Sequence, residues 1–263
     1  MTLQRVGLPA PGGEFPWSLP LLRAIRAIDL DPRMTLLVGE NGSGKSTLLE
    51  ALALAADLPT AGTHDLAHDP TLEALRPFAA DMRLAWTARS RRGLFLRAED
   101  YFGYVQRQRA QQAELRAEAQ RVAHEAAGTF VLERLRRMAP FLGPARAADD
   151  RYGGDLDARS HGESFLAFFR ARLGGRGLYL LDEPEAALSP LRQLALVALL
   201  REATERGAQF VIATHAPILM AFPGATILQL ADDGVRPARF DDLEAVRTLR
   251  AFLADPEGFV RRL

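Results

Sequence analysis

The chain carries a glycine-rich loop of eight residues, GENGSGKS, from Gly39 to Ser46. Its spacing, G-x-x-x-x-G-K-S, suits phosphate binding, because glycines let backbone N–H groups turn toward anionic oxygens. A helix that begins at such a loop adds its partial positive charge. The Lys45 ammonium can reach the β- and γ-phosphates of a nucleotide, and the Ser46 hydroxyl can ligate Mg²⁺. We therefore predict that a nucleotide is bound by Asn41, Gly42, Ser43, Gly44, Lys45, Ser46 and Thr47.

The chain has 33 lysines and arginines in total, and Lys45 is the only lysine among them. Position 45 is therefore the single exception to a strong bias of the composition toward arginine. A lysine ammonium is a compact point charge, whereas the arginine guanidinium is a wide planar fork. We infer that position 45 requires the smaller cation.

Two carboxylates and a histidine follow apolar runs further along the chain. Asp182 and Glu183 come directly after the run GLYLL, and His215 follows QFVIAT. Asp182 can hold Mg²⁺ beside Ser46, Glu183 can orient or deprotonate an attacking water, and His215 can bond the terminal phosphate. Phosphoryl transfer depends mostly on such positioning and charge neutralisation. We expect Glu183 and His215 to be catalytic, and Ser46 and Asp182 to hold the metal.

The elements that position these groups alternate between strands and helices. Short apolar runs at 34–38, 177–181, 209–213 and 226–230 predict buried strands, and helices are predicted after Lys45 and after Ser189-Pro190. Such alternation predicts an α/β fold with a mostly parallel central sheet, whose ligands lie beyond the carboxyl ends of the strands. Two further runs, 82–87 and 93–97, look like a pair of strands around Ser90 to Arg92.

The middle of the chain has a different composition. Residues 104–127 and 129–138 predict two helices, which makes a small helical lobe inserted into the sheet domain. We predict domain boundaries at 1–99, 100–158 and 159–263. Between Arg76 and Ala148 there are fourteen arginines and seven acidic residues, so DNA contact is possible here. The alternative is that these helices carry charge because they face water.

The composition excludes several classes of protein. The net charge of zero argues against a surface that is basic throughout. No apolar run approaches the about 18–20 residues of a membrane helix, so no membrane insertion is expected. The absence of cysteine excludes disulfides and thiolate metal sites, and the N-terminus lacks the pattern of a secretory signal. We expect a cytoplasmic protein. The pairs His64-Asp65 and His68-Asp69 are interpreted as solvated loop residues rather than metal ligands.

Three motifs together resemble the ATPase core of the ABC superfamily. GENGSGKST, YLLDEPEAALS and IATH occur in the order and at the spacing of that core. SHGES, which begins at Ser160, stands where the superfamily keeps its signature motif, LSGGQ. Ser160 matches the serine, Gly162 the second glycine and Glu163 the glutamine, whereas His161 departs from the pattern. Ser189 stands where an aspartate is usual. The variants are most similar to SMC-like and RecF-like ATPases and to small stand-alone prokaryotic ATPases with SHGE, some of which act in anti-phage systems.

The resemblance implies a fold, ligands and a partner. It implies a P-loop NTPase with an ABC-type core that binds ATP and Mg²⁺ and forms an ATP-dependent homodimer. In that dimer the signature helix would face the γ-phosphate on the other subunit, so Ser160, Gly162 and Glu163 would bind nucleotide. Ser160-x-x-Glu163 also reads as a capping box, and the two roles are compatible. Glu99 is our candidate for the family's magnesium-contacting glutamine, weighed evenly against a plain surface acid.

Three functions remain open from the sequence. The first is an ATP-hydrolysing dimer that acts on DNA, in repair or anti-phage defence, or on a nuclease or other effector partner. The second is the cytosolic motor subunit of a membrane transporter. The third is a nucleotide switch or scaffold that does not hydrolyse ATP. An aromatic side chain before the loop, Phe15 or Trp17, either stacks on adenine or packs in the core, and packing is favoured.

Overall fold

The computed structural model describes residues 2–60, 66, 69–89, 92–126, 130–133, 136–140, 161–186 and 188–262. Its strands are β1 (Leu3–Gly7), β2 (Ala27–Asp29), β3 (Met34–Val38), β4 (Arg83–Trp86), β5 (Gly93–Arg97), β6 (Gly177–Asp182), β7 (Ala208–Ala213), β8 (Thr226–Ala231) and β9 (Gly234–Ala238). Its helices are α1 (Pro20–Ala24), α2 (Lys45–Ala55), α3 (Arg76–Ala80), α4 (Ala98–Glu125), α5 (His161–Arg172), α6 (Pro190–Glu205), α7 (Pro217–Met220), α8 (Glu244–Ala254) and α9 (Pro256–Val260).

The chain divides into two compact units, Met1–Ala98 with Gly174–Leu263, and Glu99–Leu173. The second unit therefore begins one residue before the predicted lobe and continues past residue 158 to include α5, the helix that begins within SHGES. In the described part of the chain, no helix combines the length and the apolar character needed to cross a membrane.

The first unit is built on a six-stranded sheet with the order β5-β6-β7-β3-β8-β9. All neighbouring pairs are parallel except the β8–β9 hairpin, so the predicted mostly parallel sheet is confirmed. Every residue of β3, β6 and β7 is buried. This is the pattern of parallel strands covered on both faces, and it explains why all but one residue in each of these strands is non-polar.

The register of this sheet brings the three motif-bearing strands to the same level. Ala213 of β7 stands opposite both Leu37 of β3 and Asp182 of β6. The segments that leave the carboxyl ends of these strands are the glycine-rich loop, Glu183 and the residues around His215. The edge where they meet is the edge at which parallel α/β sheets bind ligands.

The predicted pairing of 82–87 with 93–97 is wrong. β4 joins a separate three-stranded antiparallel sheet, β2-β1-β4, whereas β5 lies at the edge of the six-stranded sheet beside β6. Burial explains the separation. The residues of β4 alternate between exposed and partly buried, as in a sheet with one solvated face, but four of the five residues of β5 are fully buried.

The second unit contains α4 and α5. Tyr101 of α4 packs edge-to-face against Phe165 and Phe168 of α5, with ring centroids 4.7 Å and 5.2 Å apart. All three rings are buried, as are Phe169 and Ala119. The predicted helix 104–127 begins earlier than expected, at Ala98. Residues 131–133 and 136–140 are helical, within and just beyond the helix predicted at 129–138.

Candidate functional site

The glycine-rich loop joins β3 to α2, and two of its glycines are required by the local geometry. A Cβ atom on Gly39 would lie 2.5 Å from the carbonyl oxygen of Leu230, because β8 runs directly against the start of the loop. Gly44 is the N-cap of α2 and has a φ of 89°, which side-chain-bearing residues rarely adopt. Since glycine has no side-chain oxygen to cap the helix, the N–H groups of the first turn are left for a ligand.

The Lys45 ammonium lies inside this loop. Its Nζ donates hydrogen bonds to the carbonyl oxygens of Gly39 at 2.9 Å and Glu40 at 2.7 Å, and to Oγ of Ser43 at 3.4 Å. The residue is only 4% exposed. Burial lowers the pKa of Lys45, and the nearby carboxylates of Glu183 and Asp182 oppose that shift. The lysine therefore braces the loop from within and holds its charge where phosphates would arrive.

Ser46 and Asp182 form a candidate magnesium site. The Ser46 hydroxyl donates to Oδ1 of Asp182 at 3.2 Å, and Asp182 is 8% exposed. The described residues contain no cluster of three or more histidine, aspartate or glutamate side chains that could hold a metal. Mg²⁺ is commonly held by one or two protein oxygens together with substrate phosphates and water, and a hydroxyl beside a carboxylate fits that donor set.

A second contact joins α2 to the sheet one helical turn further on. Nη2 of Arg97, at the end of β5, lies 3.1 Å from Oε1 of Glu50 on α2, and both side chains are largely buried. Nη2 and Nε of Arg97 are both buried without a hydrogen-bond partner, so the contact is an ion pair and not a hydrogen bond. Arg97 stands opposite Asp182 in the sheet register. No residue pattern in the sequence predicts this ion pair.

The two candidate catalytic residues face each other across neighbouring loops. Nε2 of His215 lies 3.5 Å from Oε1 of Glu183. Glu183 has a φ of 46°, a left-handed conformation that costs a residue with a side chain about 1–3 kcal/mol. Its N–H donates to the carbonyl oxygen of Ala213 at 3.0 Å, which helps to hold it there.

These groups line one cleft of about 640 Å³. The cleft walls are formed by Leu19, Asn41, Gly42, Gly44, Lys45, Ser46, Thr47, Glu183 and His215. Asp182 reaches the cleft through Ser46, and Ser43 contacts the lysine instead. The first unit therefore brings together the loop, the magnesium candidates and both candidate catalytic residues.

Other predicted site residues lie in the second unit. Glu163 is exposed in the first turn of α5. Gly162 lies in the same turn, and Glu99 is the second residue of α4, but only their backbones are described. Ser160 lies outside the described residues. The signature-motif roles and the magnesium role of Glu99 therefore remain predictions.

Sequence reasoning missed one buried acid, Glu185. It is 9% exposed, and its Oε1 accepts hydrogen bonds from the Thr214 hydroxyl and from the N–H groups of His215 and Ala216. The only sequence signal is a third carboxylate in the stretch DEPE. The two aromatic candidates for stacking on adenine differ in their surroundings. Trp17 packs edge-to-face on Phe78 with ring centroids 5.4 Å apart, whereas Phe15 is 46% exposed.

Comparison with known proteins finds two family models and several relatives that are similar to parts of this chain. Residues 22–74 match a model described as "AAA domain", and residues 164–221 match "AAA domain, putative AbiEii toxin, Type IV TA system". The macrolide export ATP-binding/permease protein MacB of Nitrosomonas europaea is 29% identical over 200 residues. The chain is similar to ATPases of the ABC superfamily. The match covers 74% of this chain but 28% of that MacB, so the chain spans less than a third of the relative's length.

Three other proteins are also similar to this chain. A probable anion import ATP-binding protein of Haloferax volcanii is 29% identical over 190 residues, covering 68% of this chain and 61% of that protein. A nucleotide-free ATP-binding cassette from an ABC transporter has a TM-score of 0.48 and 17% identity, covering 98% of this chain and 97% of that one. The Smc head domain of Pyrococcus furiosus has a TM-score of 0.47 and 11% identity, covering 97% and 100%.

Proposed function

We propose that this chain hydrolyses ATP to ADP and phosphate. The observation that carries the proposal is the position of the Glu183–His215 pair, which lines the same cleft as the glycine-rich loop and its lysine. A site that only binds phosphates does not need a group that activates water. A carboxylate and a histidine on the cleft wall add what is needed to activate water and to contact the terminal phosphate.

The proposed roles follow from the chemistry of each group. Ser46 and Asp182 would hold Mg²⁺, which neutralises charge on the phosphates. Glu183 accepts a hydrogen bond from water, whose oxygen forms a bond to the γ-phosphorus while the bond from the bridging oxygen to that phosphorus breaks. The water proton passes to Glu183 and then to the released phosphate. Lys45 and the loop N–H groups stabilise the charge that collects on the phosphate oxygens.

We further propose that ATP drives two copies to dimerise head to tail, with SHGES of one chain against the nucleotide of the other. The support is the resemblance of Ser160, Gly162 and Glu163 to the superfamily signature, together with the exposure of Glu163 in the first turn of α5. A helix N-terminus suits the γ-phosphate anion. Glu163 brings negative charge close to phosphate, which is tolerable if it engages backbone N–H groups as in a capping box.

The dimer would act on DNA, in repair or anti-phage defence, or on a nuclease or other effector protein. Two features support this reading. One is the excess of arginine between Arg76 and Ala148. The other is the model matched by residues 164–221, whose description names a toxin of a toxin–antitoxin system. Affinity capture of the Glu183→Gln variant with MgATP, followed by mass spectrometry, identifies the partner.

The alternative is an ATP-binding motor subunit of a membrane transporter. The names of the curated relatives, an export ATP-binding/permease protein and an anion import ATP-binding protein, favour it. The altered signature, with His161 in place of glycine, counts against it. Recovery of an integral membrane protein in stoichiometric amount in the same capture experiment would establish that the chain is the motor subunit of a transporter.

The test of hydrolysis is direct. Purified chain should release phosphate from MgATP, and Lys45→Ala should neither bind ATP tightly nor release phosphate. Tight MgATP binding by the wild type without release of phosphate, in the presence and absence of captured partner, would instead establish a nucleotide switch.

A further inference from the structure

Glu185 is a buried carboxylate that the proposed mechanism does not use. Three donors converge on one of its oxygens, Oε1: the Thr214 hydroxyl at 2.5 Å, the His215 N–H at 2.7 Å and the Ala216 N–H at 3.1 Å. Hydrogen bonds to an ionised acceptor are roughly twice as strong as those between neutral groups. One side chain from the loop after β6 therefore holds the whole segment that follows β7.

These bonds enclose His215 on both sides. Its own N–H and that of Ala216 are held by Glu185, and Pro217 then begins α7 and fixes the next φ. The histidine side chain is 36% exposed, so packing alone gives the imidazole limited support. Its direction is set chiefly by the backbone on either side, and Glu185 holds that backbone.

The same loop also positions Glu183. The Glu183 N–H donates to Ala213 at 3.0 Å, and the carbonyl oxygen of Glu185 accepts from the Leu188 N–H at 2.8 Å. The two loops are therefore joined in both directions, by the Glu183 backbone and by the Glu185 side chain. The 3.5 Å separation between Nε2 of His215 and Oε1 of Glu183 depends on both connections.

Glu185 also keeps one oxygen in an unfavourable place. Its Oε2 is buried and has no hydrogen-bond partner, which is unfavourable for a polar atom removed from water. We propose that Glu185 is a positioning residue, which holds His215 at the distance from Glu183 that ATP hydrolysis requires. The inference rests on the proposed hydrolysis and adds to it a residue that never touches the nucleotide.

Kinetics of two substitutions test this. Glu185→Ala should lower kcat for ATP by about 10- to 100-fold, the loss expected when a catalytic group is misplaced. KM should change by less than about threefold, because the loop that holds the phosphates is untouched. Glu185→Gln keeps a carbonyl oxygen for the three donors, so its kcat should lie between those of the wild type and Glu185→Ala. Thr214→Val, which removes one donor, should lose less than Glu185→Ala.

A double-mutant cycle separates positioning from general stabilisation. In a His215→Ala background, Glu185→Ala should cause no further fall in kcat, since there is no imidazole left to position. Tyr179→Phe is the matched control. It removes the contacts of the Tyr179 hydroxyl with the Gly174 N–H and the Gly175 carbonyl oxygen, on β6 but away from the cleft. It should lower the unfolding midpoint and leave kcat unchanged.

The outcomes separate the two proposals. Wild-type chain that does not hydrolyse ATP overturns both. Wild-type hydrolysis with an unchanged kcat in Glu185→Ala overturns the inference alone, and so does a full additional loss in the His215→Ala background. If Glu185→Ala fails to fold, Glu185→Gln and Thr214→Val carry the test, and wild-type kcat in both overturns the inference.

Discussion

Nε2 of His215 lies 3.5 Å from Oε1 of Glu183, and both side chains line the cleft that holds the Lys45 ammonium. The groups proposed to accept a water proton, to contact phosphate and to supply a phosphate-binding cation therefore surround one space. This arrangement separates binding from chemistry, because the loop that would hold the phosphates and the pair that would act on water come from different strands.

Glu183→Gln should bind MgATP but turn over slowly, since the amide keeps the shape of the side chain and cannot accept the water proton. Trapped nucleotide should then hold two copies together, and light scattering with MgATP should give twice the mass of the monomer. Ser160→Arg on the same background should restore the monomer by a clash at the opposite nucleotide. A Glu183→Gln chain that stays monomeric at saturating MgATP would leave SHGES as a helix cap only.

Lys45→Arg should lose tight ATP binding nearly as fully as Lys45→Ala. Three acceptors surround Nζ at hydrogen-bond distance, so the space between them fits a compact ammonium group. A planar guanidinium is too wide for that space. Titration with a fluorescent ATP analogue measures the affinity. Wild-type hydrolysis by Lys45→Arg would refute the argument from the single lysine.

Glu183→Gly should be more stable to unfolding than Glu183→Ala by about 1 kcal/mol, because only glycine adopts the φ of 46° without strain. Urea denaturation of the two variants measures the difference. Glu202, an exposed residue inside α6, is the matched control. There the order should reverse, with glycine less stable than alanine by about 1 kcal/mol. Equal stabilities at position 183 would show that the left-handed backbone carries no strain.

Arg97→Met should lower the free energy of unfolding by about 3 kcal/mol, because it removes the cation that faces the largely buried Glu50. Adding Glu50→Leu should restore most of the loss, since an apolar pair can replace a buried ion pair. Arg201→Ala breaks an exposed pair with Glu205 and should cost less than about 1 kcal/mol. Chemical denaturation of the four proteins decides whether the buried pair stabilises the first unit.

Any DNA binding by the arginine-rich segment should be independent of sequence and should weaken steeply as salt is raised, because counterion release drives it. It should also require ATP, since dimerisation would place two such segments side by side. Fluorescence anisotropy with a labelled duplex and Glu183→Gln tests both points. Replacing Arg89, Arg91 and Arg92 together by glutamine should weaken binding, whereas replacing Arg236, Arg261 and Arg262 should not. No binding at low salt would leave the segment as a surface for a protein partner.

The nucleotide loop and the central sheet were predictable because their signals are local. Gly39 to Ser46 combine fixed residue types with fixed spacing, and the buried strands are mostly apolar runs. The sheet to which β4 belongs was not predictable, because its partner β1 lies about eighty residues earlier and nothing between them marks the pairing. The burial of Glu185 and Arg97 was not predictable for a related reason: a charged residue in a sequence does not show that folding will bury it.

Lys45 also gives the chain an unusual chemical handle. Because it is the only lysine, its Nζ and the N-terminal amine are the only primary amines that an acylating reagent can modify. Its 4% exposure and three hydrogen bonds should make it react slowly in the folded chain. The mass added at this one position then reports how often the loop opens. An endoprotease specific for lysine would cut the unfolded chain at a single bond, within the nucleotide loop itself.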